Sequence, residues 1–273
     1  MINYSVALQE FELFILILVR ISTFVYAAPF FNTANTPNRV KIGFSFALAI
    51  LVYTLDLGIT YTYSGMLDYA AIVLSEAAVG LLLGYAANAC VQIIMFSGHI
   101  IDVDMGISMA TIFDPTTKTQ VGIMSNLYYY LLSLLLIVSG LYRYLVSAIV
   151  DTYKVIPIGQ AAFRPSLYTT IVDFIGDYFV IGFRIALPMF ACMMLLNCIL
   201  GVLARIAPQM NMFVMGMQLK IFVGIIVVTF TLVMLPSVSN YIFQEIRTIM
   251  VQIVNSMTCL LYTSDAADDL TRV

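Results

Sequence analysis

The sequence predicts an all-α, polytopic membrane protein, and three observations carry that prediction. Of its 273 residues 62% are hydrophobic and only 10% charged, with a mean hydropathy of +1.00, too few polar side chains to cover a soluble globule of this size. The apolar residues gather into runs of helix-spanning length, because a hydrocarbon core of ~30 Å takes about 20 helical residues rising ~1.5 Å each. Between the runs stand short stretches of turn chemistry. A formal net charge of -3, with no basic cluster or stacking platform, argues against nucleic acid as a partner.

Six apolar runs follow one another. The N-terminal MINYSVALQEFELF lacks a basic leader region and carries Glu10 and Glu12 directly before the first run, Leu13 to Phe31, so that run is expected to remain in the mature chain. NTANTPNRVK is a turn in which Pro37 fits a helix start, and the second run covers Val40 to Leu55. Asp56 to Asp68 is acidic and tyrosine-rich, as at a membrane interface, and in a chain without tryptophan tyrosine must supply any aromatic belt. The third run, Tyr69 to Phe96, contains Gly80-x-x-x-Gly84 followed by alanines, a small-residue face on which helices approach closely. The fourth, fifth and sixth are Ile123 to Val150, Tyr178 to Ala204 and Phe213 to Leu235.

The stretch RIAPQMNMFVMGMQLK joins the fifth and sixth runs. Pro208 removes a backbone donor and predicts a break, either a helix start or a kink. Gln209 and Asn211 are expected to satisfy freed backbone groups or neighbouring subunits, Gly216 permits close approach, and Lys220 falls one turn later on the same side. A seventh, amphipathic stretch, Val238 to Met257, begins after Pro236 and either continues past a kink or returns as a hairpin. Residues 1–259 are read as one domain, and 260–273, with Asp265, Asp268 and Asp269, as a polar tail outside the fold. Cys90, Cys192, Cys198 and Cys259 form no C-x-x-C pair and read as packing residues.

Orientation does not follow from charge. Arg143, Lys154, Arg164, Arg247 and Arg272 fall on one side of a simple alternation, and Arg39, Lys41, Lys118, Arg205 and Lys220 on the other. That balance fits helices whose placement is fixed by partners. Arg20, Glu76, Asn88, Arg184 and Asn197 lie inside apolar runs, where an ionisable group costs at least ~2.5 to 3.5 kcal/mol, so they either pair between helices or line a path. No phosphate loop, zinc signature, nucleophile elbow or nucleophile–base pair occurs, so no cofactor, metal or catalysis is expected. GHIIDVDMG gathers His99, Asp102 and Asp104, too few ligands for a metal site and readable as a polar helix end. The next segment, MGISMATIFDPTTKTQ, mixes Met105, Gly106, Met109, Ile112 and Phe113 before a turn at Asp114 and Pro115. It reads as an ordinary connection or as an adaptable apolar plug in a conduit.

APFFNTANTPNRVKIGFSFALAI, EAAVGLLLGYAANACVQIIMFSGHIIDVDMGISMATIFDP and ARIAPQMNMFVMGMQLKIFVG, in that order, resemble the FliR/SctT family of type III secretion export-gate proteins over most of Leu13 to Met257. The resemblance implies long bent helical hairpins in a closed helical assembly with FliP and FliQ homologues, an FlhB homologue nearby, and passage for unfolded export substrates. It implies residence among membrane lipid in the bacterial inner membrane, at the flagellar basal body. It also implies that Met105 to about Gln120 is the pore plug, with Phe113 among its bulky members, and that the Pro208 to Lys220 element docks against other subunits. The virulence injectisome gate, a small-molecule secondary transporter with helices broken at Pro188 or Pro208, and a plain membrane scaffold are the competing readings.

Overall fold

The computed structural model describes residues 4–31, 36–55, 63, 65–107, 122–209 and 211–258, and among them regular structure is helical throughout. In chain order the helices are α1 (Tyr4–Ala27), α2 (Asn38–Thr54), α3 (Met66–Asp104), α4 (Ile123–Val138), α5 (Leu141–Val155), α6 (Pro165–Ile206), α7 (Met212–Leu232) and α8 (Leu235–Met257). Three of them are long and apolar enough to cross a membrane, Met66–Asp104, Pro165–Ile206 and Val214–Leu232, and a fourth crossing results if α4 and α5, bent by 66°, count as one. This is fewer than the six runs in the sequence. At 17 residues α2 is short of the ~20 needed for a crossing.

Helix ends depart from the apolar runs where backbone chemistry overrides hydropathy. The fourth run breaks in two at Gly140, whose φ of 82° lies in the left-handed region that a side chain disfavours. α6 opens at Pro165, whose missing N–H costs nothing in a first turn, and so reaches well before the apolar run through exposed Asp173 and Asp177. It then continues through Pro188 without ending. α7 and α8 are separated only by Val233 and Met234.

The helices gather into two compact units that interleave along the chain. The first comprises Met1–Ala89, Gly140–Phe174 and Gln244–Val273, and the second Cys90–Ser139 and Ile175–Phe243. In the first unit the core is built on Leu16, Ile17, Ile21, Phe24, Leu83 and Ile149. The Gly80-x-x-x-Gly84 face seats α3 on α1: a Cβ at Gly80 would overlap the Arg20 carbonyl and the Thr23 hydroxyl, and one at Gly84 the Phe24 carbonyl and Ala27. In the second unit Ile93, Ile94, Ile101, Leu132, Leu136 and Met189 are buried. Phe96 covers Gly182 on α6 and meets the Phe179 and Phe183 rings at 5.4 and 5.8 Å between centroids, both edge-on.

Candidate functional site

The connection from α3 to α4 is fixed at both ends. Gly106, at φ 75°, is the left-handed residue that stops α3. Its N–H donates to the Val103 carbonyl at 3.0 Å, and the Ile107 N–H reaches back to the Asp102 carbonyl at 3.1 Å, the paired bonds of a Schellman stop. Met105, in the same turn, is fully buried, and its side chain fills the space where a Cβ on Gly224 of α7 would lie. These two sequence-predicted plug residues are therefore the fixed root of the segment. Met109, Ile112, Phe113, Asp114 and Pro115 lie outside the described residues.

At the other end the Asp102 carboxylate, 3% exposed, caps α4. Oδ1 accepts the Met124 N–H at 2.9 Å and Oδ2 the Ser125 N–H at 3.1 Å, two of the donors that the first turn of a helix leaves without intrahelical partners. The Gly122 carbonyl accepts from the Ser125 hydroxyl and the Asn126 amide, each at 2.9 Å. Gly98 lets the α3 backbone come down directly onto Ser125, and a Cβ on Gly122 would strike the Ser125 hydroxyl, Asp102 and His99. His99 itself is exposed. The His99 and Asp102 spacing suggested a polar helix end, and Asp102 serves as one for the next helix. Nothing in the sequence signalled Gly98 and Ser125, which meet only once α3 and α4 are folded.

The sequence-predicted docking element forms the turn from α6 to α7. α6 closes with the Ala207 N–H on the Leu203 carbonyl, and Pro208 and Gln209 follow it exposed, so Pro208 lies in the turn and α7 starts later, at Met212. Asn211, also exposed, stands at the N-cap position without a side-chain capping bond. Gly216 is buried, with Leu200 across from it, and Lys220 is half-buried and interacts electrostatically with Asp104 at the end of α3.

The polar residues of the apolar runs divide. Arg20 and Glu76 are both 0% exposed and form an ion pair from Arg20 Nε to Glu76 Oε2 at 2.5 Å. Arg20 Nη1 donates to the Ile156 carbonyl at 3.0 Å and to Thr152 at 3.4 Å, while the other Glu76 oxygen accepts the Gly159 N–H at 3.0 Å. The Tyr153 ring lies 4.4 Å from the guanidinium carbon, and the Tyr153 hydroxyl donates to the Ile17 carbonyl at 3.0 Å. Four segments thus meet on one buried charge pair. Asn88 is half-buried, and Arg184 and Asn197 are exposed on α6.

The profile of the family described as "Bacterial export proteins, family 1" matches residues 11–246. A flagellar biosynthetic protein FliR of Bacillus subtilis (strain 168) is 30% identical over 255 residues, covering 92% of this chain and 95% of that protein. Proteins of the same name from Pectobacterium carotovorum subsp. carotovorum and Escherichia coli (strain K12) are 28% and 26% identical over 241 residues, each covering 88% of this chain and 92% of the relative.

Proposed function

This chain belongs to the FliR family of bacterial export proteins, and from that premise we propose that it is a structural and gating subunit of the flagellar protein-export apparatus. With FliP and FliQ homologues it forms the channel for unfolded flagellar substrates in the inner membrane at the basal body, with an FlhB homologue nearby. It performs no chemistry of its own. The observation that carries this reading is the match over residues 11–246, which takes in the apolar segment after α3 and the α6–α7 turn together. The flagellar names of the relatives favour a flagellar system over an injectisome.

In this reading the segment from Met105 to about Gln120 seals the path by apolar contact and yields to arriving substrate. Met105 and Gly106 anchor the seal, and Pro208, Gln209, Asn211, Gly216 and Lys220 face neighbouring subunits. Burial makes Met105 a poor probe, since truncating it would open the core beside Gly224. The clean test is Met109→Gly with Phe113→Gly in a gate co-purified with FliP and FliQ homologues. Ion conductance in planar bilayers is expected to rise severalfold per assembled gate. Background conductance in intact assemblies would dismiss the seal, and failure to co-purify with either homologue would dismiss the assembly.

A further inference from the structure

α7 turns one face inward along most of its length. Gly216, Lys220, Gly224 and Val228 recur every four residues and so share a side of the helix. Gly216 is buried with Leu200 of α6 across from it, Gly224 is buried under Met105, and Val228 is buried as well. Thr231, three residues on, shares a 2.5 Å hydrogen bond with the Tyr128 hydroxyl of α4. The exposed side chains of Leu219, Phe222, Ile226 and Phe230 hold the opposite side. Lys220 is the one charged residue of α7, and it stands on the inward face.

The end of α3 lies where this lysine points. Met105, seated on Gly224, directly follows Asp104, and Gly224 lies one turn beyond Lys220. Asp104 Oδ2 is buried without a hydrogen-bond partner, and Lys220 is the cation that acts on this carboxylate. A buried acceptor without a donor costs free energy, and a nearby cation offsets part of that cost. The attraction also reaches further than in water, because the effective dielectric of a packed interior is lower.

We infer that Asp104 and Lys220 are positioning residues of the docking element: the acid at the end of α3 draws the lysine inward, and with Met105 seated on Gly224 it fixes the line along which α7 runs back to the turn at Pro208 and Gln209. The inference rests on the docking role proposed above for that turn. Lys220 then serves docking through Asp104, by setting where the turn is presented.

Lys220→Met keeps the stem and removes the charge, and Asp104→Asn does the same for the acid at equal size. Both single variants and the double variant are co-purified with FliP and FliQ homologues, and the apparent affinity of capture is read beside the thermal midpoint of the chain alone. Each single variant is expected to weaken capture roughly fivefold, the scale of one coupled charge pair, with the midpoint not lowered. The double variant should be no weaker than either single one, because each change already removes the attraction. Lys220→Arg, which keeps the charge, should capture like the parent. Losses that multiply in the double variant overturn the inference, since Lys220 then acts independently of Asp104. A lowered midpoint with full capture also overturns it and leaves the pair a structural contact. Gln209→Arg places a bulky charge in the exposed turn and tests the docking role by itself. Lost capture supports that role, and full capture removes it together with the inference.

Discussion

Arg20 of α1 and Arg184 of α6 both lie within strongly apolar stretches, yet the first is entirely buried and the second exposed. Around Arg20 the chain supplies its own answer, an acid on α3, two acceptors from α5 and the turn after it, and an aromatic ring. Around Arg184 it supplies none: no ion pair to it forms among the described residues. The helices differ in the same sense. Of the most apolar stretch of Met66–Asp104 44% is buried within the chain, against 22% for Pro165–Ile206 and 17% for Val214–Leu232. A cation at membrane depth costs several kcal/mol without a partner or water, so Arg184 needs water, a headgroup or a counter-charge from outside this chain. The region around Arg20 meets its charges inside the chain, with Arg20 Nη2 left without a hydrogen-bond partner, and the region around Arg184 presents its own.

The largest effect should come from breaking the internal pair. Arg20→Ala leaves Glu76 buried with only the Gly159 N–H, and Glu76→Ala leaves the guanidinium without its acid. An orphaned buried ion costs about 3–5 kcal/mol, so the yield of folded chain, measured by detergent-stable size-exclusion profiles, is expected to collapse in either single variant. Replacing both by Met and Leu should recover much of the loss, because a packed apolar pair avoids the desolvation of two ions. If the single variants fold normally, the idea of charges met inside the chain fails.

Gly80→Val tests the same region by shape. The added atoms overlap the Arg20 carbonyl and Thr23, and forcing α1 from α3 is expected to cost about 1–3 kcal/mol. Gly176→Val on α6, where an added Cβ meets nothing within 4 Å, serves as the control. The loss should appear as a lower thermal midpoint for the first variant alone.

Next in size is Arg184→Ala. In the isolated chain it should be silent, since the side chain is exposed and unpaired among the described residues. In co-purification with FliP and FliQ homologues it should weaken capture by about 1–2 kcal/mol, roughly five- to thirtyfold in apparent affinity. A variant that unfolds the chain, or one that leaves capture untouched, would dissolve the contrast with Arg20.

Much of this was legible beforehand, and the misses share a cause. Hydropathy located the apolar runs because burial and lipid contact both follow it, and Gly80-x-x-x-Gly84 named a helix contact that does form. Helix ends obey hydrogen bonding and φ instead. By polarity the third run ends at Phe96, but α3 continues to Asp104 because its stop is the left-handed Gly106. The fourth run passes over Gly140, since a glycine inside an apolar run shows no sign of its φ. Arg20, Glu76 and Arg184 look alike in the sequence as polar residues in apolar runs, but which of them pair depends on the side chains brought from α5 and on contacts between helices far apart in sequence. In the sequence Asp102 is an acid near a histidine, and only the fold turns it toward the start of α4.

The smallest effect is the most discriminating for the presenting region. A Cβ on Gly216 would meet only Leu200, at 3.4 Å, an ordinary contact. Alanine in a helix interior is favoured over glycine by about 0.5–1 kcal/mol. In the isolated chain Gly216→Ala should therefore be neutral or slightly stabilising, with a thermal midpoint unchanged or a little higher. If the start of α7 docks against a neighbouring subunit through bare backbone, the same methyl stands in the interface, and capture by FliP and FliQ homologues drops although stability does not. A rise in stability with full capture places Gly216 inside the chain's own α6–α7 contact. The exposed docking surface then shrinks to the turn at Pro208 and Gln209 and to the face that carries Arg184.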